Sequence, residues 1–204
     1  MQTHGRYTGL VKEDFARYWD KRYRSKETEP EREPAEFLVE HVGLLPPAGR
    51  ALDVPVGTGR NALYLASLGY KVIGIDISTV AIERCRREAE RRGLQIETIC
   101  ADLESYPLPR ETYDVVLNFY YLQRDLCPRL VETLRPGGVL VFETFTIEQR
   151  QFDWGPQPDE FLLKPGELRG LFPQLEELVY REGIEEEDER GLKAIASLVG
   201  RKPR

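Results

Sequence analysis

The chain has 204 residues, enough for one domain with a buried core, and its 41% apolar and 31% charged residues describe a folded protein, not a disordered one. A net charge of −6 sets its surface against phosphate backbones and disfavours extensive nucleic-acid binding. Cys85, Cys100 and Cys127 lack metal-ligand spacing and leave an odd count, no apolar run approaches the ~20 residues of a membrane span, and "MQTHGRYTGL" holds no apolar signal region, so the expectation is a cytoplasmic protein with reduced thiols.

Residues 12–24, "KEDFARYWDKRYR", place Phe15, Tyr18, Trp19 and Tyr23 at helical spacing. A charged linker, "SKETEPEREP", follows; residues 1–33 are read as an appendage whose aromatic stripe serves either packing or a lid. Residues 34–204 are read as a single domain. A helix over "AEFLVEHVGLL" stops at Pro46 and Pro47. Strand and helix then alternate: strand "RALDV", helix "GRNALYLASLG", strand "KVIGI", helix "STVAIERCRREAERRG", strand "QIETIC", strand "YDVVLNF", helix "QRDLCPRLVETL" interrupted by Pro128, and strand "VLVFETF" after a turn at "RPGG". Apolar strands alternating with helices predict an α/β fold, a doubly wound parallel sheet with helices on both faces. A long loop over 146–168 leads to two strand-like runs, "LEELVYREGIEE" and "LKAIASLVGR", whose acidic connection predicts a closing antiparallel hairpin.

The stretch "ALDVPVGTGRNALYLASLGYKVIGID" carries the chemistry. Gly57 and Gly59 permit a sharp turn and close ligand approach, and the following helix offers free N–H groups to an acceptor-rich ligand. Asp76 stands nineteen positions past Gly57 at the end of the next strand, where an acid can accept both hydroxyls of a ribose. Asp53 and Asp102 also end strands on that edge, and three such acids point to a nucleoside-type cofactor. Pro55 stands where such a loop has its first glycine; it cannot donate or take positive φ, so the turn falls on Gly57 and Gly59, with the proline ring expected at the cofactor's edge.

"GTGRNA" also satisfies the dinucleotide fingerprint G-x-G-x-x-G/A. An NAD(P)-binding oxidoreductase is therefore one alternative, and a non-catalytic cofactor-binding protein another. Against NAD stand the closing hairpin, where a dinucleotide fold would add parallel units, and the lack of a second substrate domain.

Together, "LDVPVGTGR", "GIDIS", "ADL", "YDVVLNF", "LRPGG" and the closing hairpin resemble the class I S-adenosylmethionine-dependent methyltransferases, over roughly residues 34–200. Within that family, "GRNALYLASLGYKVIGIDIS", "FYYLQRDL" and "GPQPDEFLLKPGEL" look most like the small tellurite-resistance-type and thiol-type enzymes. The resemblance implies a Rossmann-like, seven-stranded sheet with its last strand inserted antiparallel, and S-adenosyl-L-methionine as cofactor. It further implies that Asp53, Gly57 and Gly59 flank the methionine moiety, with Asp53 towards its ammonium. Asp76 would hold the ribose with Ile77 on the adenine, Asp102 the adenine amino group with Leu103 alongside, and Asn118 and Phe119 the cofactor's other side. The implied partner is a small-molecule methyl acceptor, a soft nucleophile or oxyanion, with protein or RNA as alternative acceptors.

Candidates on the acceptor side are Tyr120, Tyr121, Arg124, Glu143, Trp19 and Trp154. The tyrosines serve as core aromatics or substrate contacts, Arg124 as an oxyanion ligand or a surface partner of Asp125, and Glu143 as a contact or a cap. Trp154, with Phe152 and Phe161, is a second possible lid. His4 and His41 are isolated and form no zinc set. "ERCRREAERR" reads as i,i+4 ion pairs on a solvated helix.

Overall fold

The computed structural model describes residues 12–26, 32–187 and 191–204. The remainder of the N-terminal appendage and the tip of the C-terminal hairpin lie outside these residues. The strands are β1 (Arg50–Asp53), β2 (Lys71–Asp76), β3 (Ile96–Cys100), β4 (Tyr113–Phe119), β5 (Leu134–Phe145), β6 (Glu176–Glu187) and β7 (Gly191–Arg201). They form one sheet in the order β3-β2-β1-β4-β5-β7-β6. The first five run parallel, while β7 pairs antiparallel with both β5 and β6.

The helices are α1 (Lys12–Arg24), α2 (Glu36–Glu40), α3 (Arg60–Ser67), α4 (Thr79–Arg91), α5 (Leu126–Thr133) and α6 (Glu167–Leu171). Strand side chains alternate between two cores because successive residues face opposite ways. Ala51, Val115, Leu117, Val139 and Val141 join Phe37 and Leu38 of α2, Ala62 and Leu65 of α3, and Ile82 and Cys85 of α4. Leu52, Val116, Leu140 and Phe142 join Leu126 and Leu130 of α5 and Leu168 of α6 on the other face. This two-sided burial makes the parallel strands near-continuous apolar runs.

Three elements differ from the sequence reading. The helix expected from Gln123 begins at Leu126, after turn bonds from Leu126 N to Gln123 O and Cys127 N to Arg124 O. Pro128 therefore does not interrupt it: the proline occupies the first turn, whose N–H groups have no intrahelical partner. The strand read from Val139 begins at Leu134, so "RPGG" is its irregular lead-in, with a register shift opposite Tyr113–Val115. The loop over 146–168 is pinned down: Thr146 N donates to Ala194 O (3.0 Å), Ile147 N to Leu163 O (2.8 Å) and Leu163 N to Phe145 O (2.9 Å). Gln149, fully buried within it, accepts from Ala194 N and donates to Trp154 O.

Candidate functional site

The glycine turn joins β1 to α3 at the carboxyl edge of the sheet. The Val54–Pro55 peptide bond is cis, and Gly57 and Gly59 have φ of +55° and +94°, so the turn falls on the two glycines as expected. Space also demands them. A Cβ on Gly59 would lie 2.5 Å from Cys85 Sγ, and one on Gly57 would lie 3.1 Å from Tyr23 Oη. Gly59 caps α3 without a side-chain bond, leaving the helix's first N–H groups turned to the loop.

Asp76 ends β2 against this turn. Its Oδ2 accepts from Gly57 N and its Oδ1 from Ser78 N, both at 2.9 Å, leaving further lone pairs on each oxygen. Burial pushes its pKa up to about 6 despite those bonds. Asp53, fully buried at the end of β1, is raised well above the ordinary carboxylate value by burial, opposed by the Arg60 charge and the Ala62 N–H. Ser78 caps α4 by accepting from Ala81 N at 3.2 Å. Asp102 lies just past β3, half-buried, with Oδ1 accepting from Glu104 N at 2.9 Å. All three acids thus occupy one edge, as their strand-end positions required.

At the end of β4, Asn118 is 1% exposed and its Oδ1 has no hydrogen-bond partner among the described residues. A buried orphan acceptor costs about 1–3 kcal/mol. β4 lies beside β1, with Leu117 opposite Asp53, so Asn118 and Asp53 end neighbouring strands at the same edge of the sheet. The acceptor groups fit an adenosine joined to an amino acid: a carboxylate for a diol, a second carboxylate for an ammonium, and a cradle without side chains. Ile77 is half-buried beside Asp76, while Leu103 and Phe119 are mainly core residues, 5% and 7% exposed.

The acceptor-side candidates separate. Tyr120 and Tyr121 diverge to opposite faces of the sheet. Tyr121 donates to Gln123 Oε1 (2.9 Å), and its pKa is raised by burial and by the carboxylates of Glu104, Asp102 and Asp76, which puts it on the adenine side. Tyr120 packs on Phe145 (5.1 Å between centroids) under Arg60. Arg124 is engaged within the chain. It forms a two-pronged pair with Glu167 (2.7 and 3.1 Å) and donates to Glu160 O and Leu162 O, so its partner is not Asp125. Glu143 is buried inside β5 rather than capping it, accepting from Ser197 Oγ at 2.8 Å. Trp154 donates to Leu192 O (3.1 Å) and meets Phe145 edge-on, which ties it to β7 and β5.

α1 does lie against the site. Asp20 Oδ1 accepts from Ser78 Oγ (2.6 Å) and Val80 N (3.2 Å), and its Oδ2 from Thr79 Oγ1 (3.1 Å). Burial pushes the Asp20 carboxyl up, but these bonds outweigh it and hold it below the usual value. Arg84, buried and turned to α1 instead of solvent, donates to Tyr23 O and Lys26 O. Tyr23 is thereby placed over Gly57; burial, then the Asp76 charge, raises its pKa. Trp19 stacks with Tyr18 and Tyr23 on the same helix and is half-buried. Sequence reading missed Asp20, Arg60 and Lys193, because each acquires its role from a distant segment. The polar position in the apolar stripe of α1 was the one available signal for Asp20.

Comparison with known proteins gives the same answer as this geometry. Residues 51–138 match the family described as methyltransferase domain. The probable S-adenosyl-L-methionine-dependent methyltransferase TehB of Haemophilus influenzae is 28% identical over 167 residues, covering 75% of this chain and 57% of that protein. A demethylmenaquinone methyltransferase of Thermus thermophilus is 36% identical over 104 residues, 47% of each. The chain thus spans about half the length of these curated relatives. The crystal structure of the Haemophilus TehB superposes with a TM-score of 0.69 at 25% identity, covering 90% of this chain and 67% of that one. No described helix is long and apolar enough to cross a membrane.

Proposed function

We propose that this chain is a class I S-adenosylmethionine-dependent methyltransferase and moves a methyl group from that cofactor to a small-molecule acceptor. The observation that carries the reading is Asp76, a buried carboxylate fixed by Gly57 and Ser78 with both oxygens still able to accept. When bound, the cofactor supplies a methyl group on a positively charged sulfur. The chain's part is to hold donor and acceptor in line and in contact, the main source of rate in such a displacement. Asp76 takes the ribose hydroxyls. Asp53 reaches towards the ammonium, Asn118 closes the cofactor's other side at the end of β4, and Asp102 takes the adenine amino group. Pro55 borders the methionine end without donating to it.

α1 is the lid of this site. Asp20 and Arg84 tie its C-terminal half to α4, and Tyr23 then roofs Gly57 and shields the ribose from water. The resemblance of the sequence to tellurite-resistance-type and thiol-type enzymes favours an oxyanion or thiol acceptor; similarity to a demethylmenaquinone methyltransferase makes a quinol the second class to try. Purified protein given S-adenosylmethionine with a labelled methyl should transfer label to at least one of selenite, small thiols or a naphthoquinol, and Asp76→Ala should abolish it at low cofactor concentration. Label transfer only to protein or RNA would overturn the small-acceptor reading.

A further inference from the structure

Tyr120 is the first residue past β4 and has φ of +59°, a conformation unfavourable for a residue with a Cβ. Its N–H donates to Glu143 O at 2.7 Å, and its ring is held between Phe145 and the Arg60 guanidinium, whose carbon is 5.3 Å from the ring centroid. Lys193, on β7, donates from Nζ to Tyr120 Oη at 3.0 Å. This lysine is only 8% exposed. Glu143 Oε1 is 3.8 Å from Nζ, at ion-pair but not hydrogen-bond distance, and its Oε2 accepts from Ser197. Glu185, opposite Lys193 in the strand register, is itself raised by burial.

Lysine is rarely buried to this degree unless it is paired, and Lys193 has Tyr120 Oη and Glu143 as partners. An ammonium has no acceptor, so Oη accepts and the phenolic proton points away from Nζ. The cation polarises that O–H and strengthens it as a donor. Arg60 opens α3 after the glycine turn, Tyr120 follows β4 and Lys193 lies near the start of β7, on the opposite face of the sheet from Tyr121. Arg60 adds a second positive charge to the same ring.

We propose that Tyr120 binds the methyl acceptor and that Lys193 positions and polarises it, so that the pair selects acceptors bearing an oxyanion such as a carboxylate. This rests on the methyl-transfer reading and gives it a substrate class. Two small thiols, 3-mercaptopropionate and 2-mercaptoethanol, differ by the carboxylate and serve as probes. The wild type should favour the carboxylate thiol by about tenfold or more in kcat/KM, expressed through KM. Tyr120→Phe and Lys193→Met should each bring the ratio to within about twofold, and Lys193→Arg should restore part of it. S-adenosylhomocysteine affinity, measured by calorimetry, should stay unchanged and certifies the fold. A wild type without preference, or a preference that survives both Tyr120→Phe and Lys193→Met, overturns the proposal. A chain that binds no S-adenosylhomocysteine overturns the methyl-transfer reading instead. In that case, or if neither thiol is methylated, titrating both thiols into the protein still tests the pair. Selective binding of the carboxylate thiol that is lost in the variants supports it; equal or absent binding contradicts it.

Discussion

At the scale of the residue, Asp76 shows how backbone geometry prepares a side chain. Two N–H groups fix the carboxylate while burial opposes its charge, leaving it at about 6. The charged form accepts a diol better, so cofactor affinity should fall as pH drops from 7.5 through 6, and Asp76→Asn should flatten that dependence. Calorimetric titrations with S-adenosylhomocysteine across this range measure both. The sign for stability is opposite: a carboxyl raised from 3.8 to about 6 on folding contributes stability at low pH that is lost as pH rises through about 6. Gly59→Ala meets Cys85 Sγ at 2.5 Å and needs φ of +94°, so it should cost roughly 1–3 kcal/mol in denaturant unfolding. Gly57, Gly59 and the three acids were legible in the sequence because a turn, a strand end and a spacing define them locally. Lys193 was not, since nothing in "GLKAIASLVG" says that its ammonium meets a tyrosine seventy-three residues earlier.

Among the elements, α1 and the loop over 146–168 are anchored in different ways. Both carry aromatics, and the sequence offered each as a lid. Gln149, buried inside the loop, ties it to β7 through backbone partners, whereas α1 is held through polar side chains on α4 that can release together. Asp20→Ala should therefore free α1: amide exchange over residues 12–26 should accelerate, and S-adenosylhomocysteine should dissociate several-fold faster in stopped-flow displacement, with little loss of global stability. Arg124→Met tests the opposite kind of contact. Its pair with Glu167 is partly exposed, so the loss should be about 1 kcal/mol in unfolding free energy, with cofactor affinity unchanged. The late start of α5 was illegible because the Gln123–Asp125 turn depends on Arg124 reaching α6.

For the whole molecule, the order β3-β2-β1-β4-β5-β7-β6 puts the ends of β1, β2, β3 and β4 at one edge, where the cofactor residues gather. The antiparallel β7 brings Lys193 to that edge from the opposite direction, which a fully parallel continuation would not do. Periodicity and the acidic connection made the doubly wound sheet and its closing hairpin readable, whereas the antiparallel insertion of the last strand came only from the family resemblance. The acceptor was not readable, because it depends on side chains that converge only after folding. The most direct test of the account is a side-by-side calorimetric titration of the chain with S-adenosylhomocysteine and with NADH. Saturable one-to-one binding of S-adenosylhomocysteine, weakened about tenfold or more by Asp76→Ala, and no binding of NADH is the expected result. Binding of NADH in its place, or S-adenosylhomocysteine affinity indifferent to Asp76→Ala in a folded protein, would contradict it.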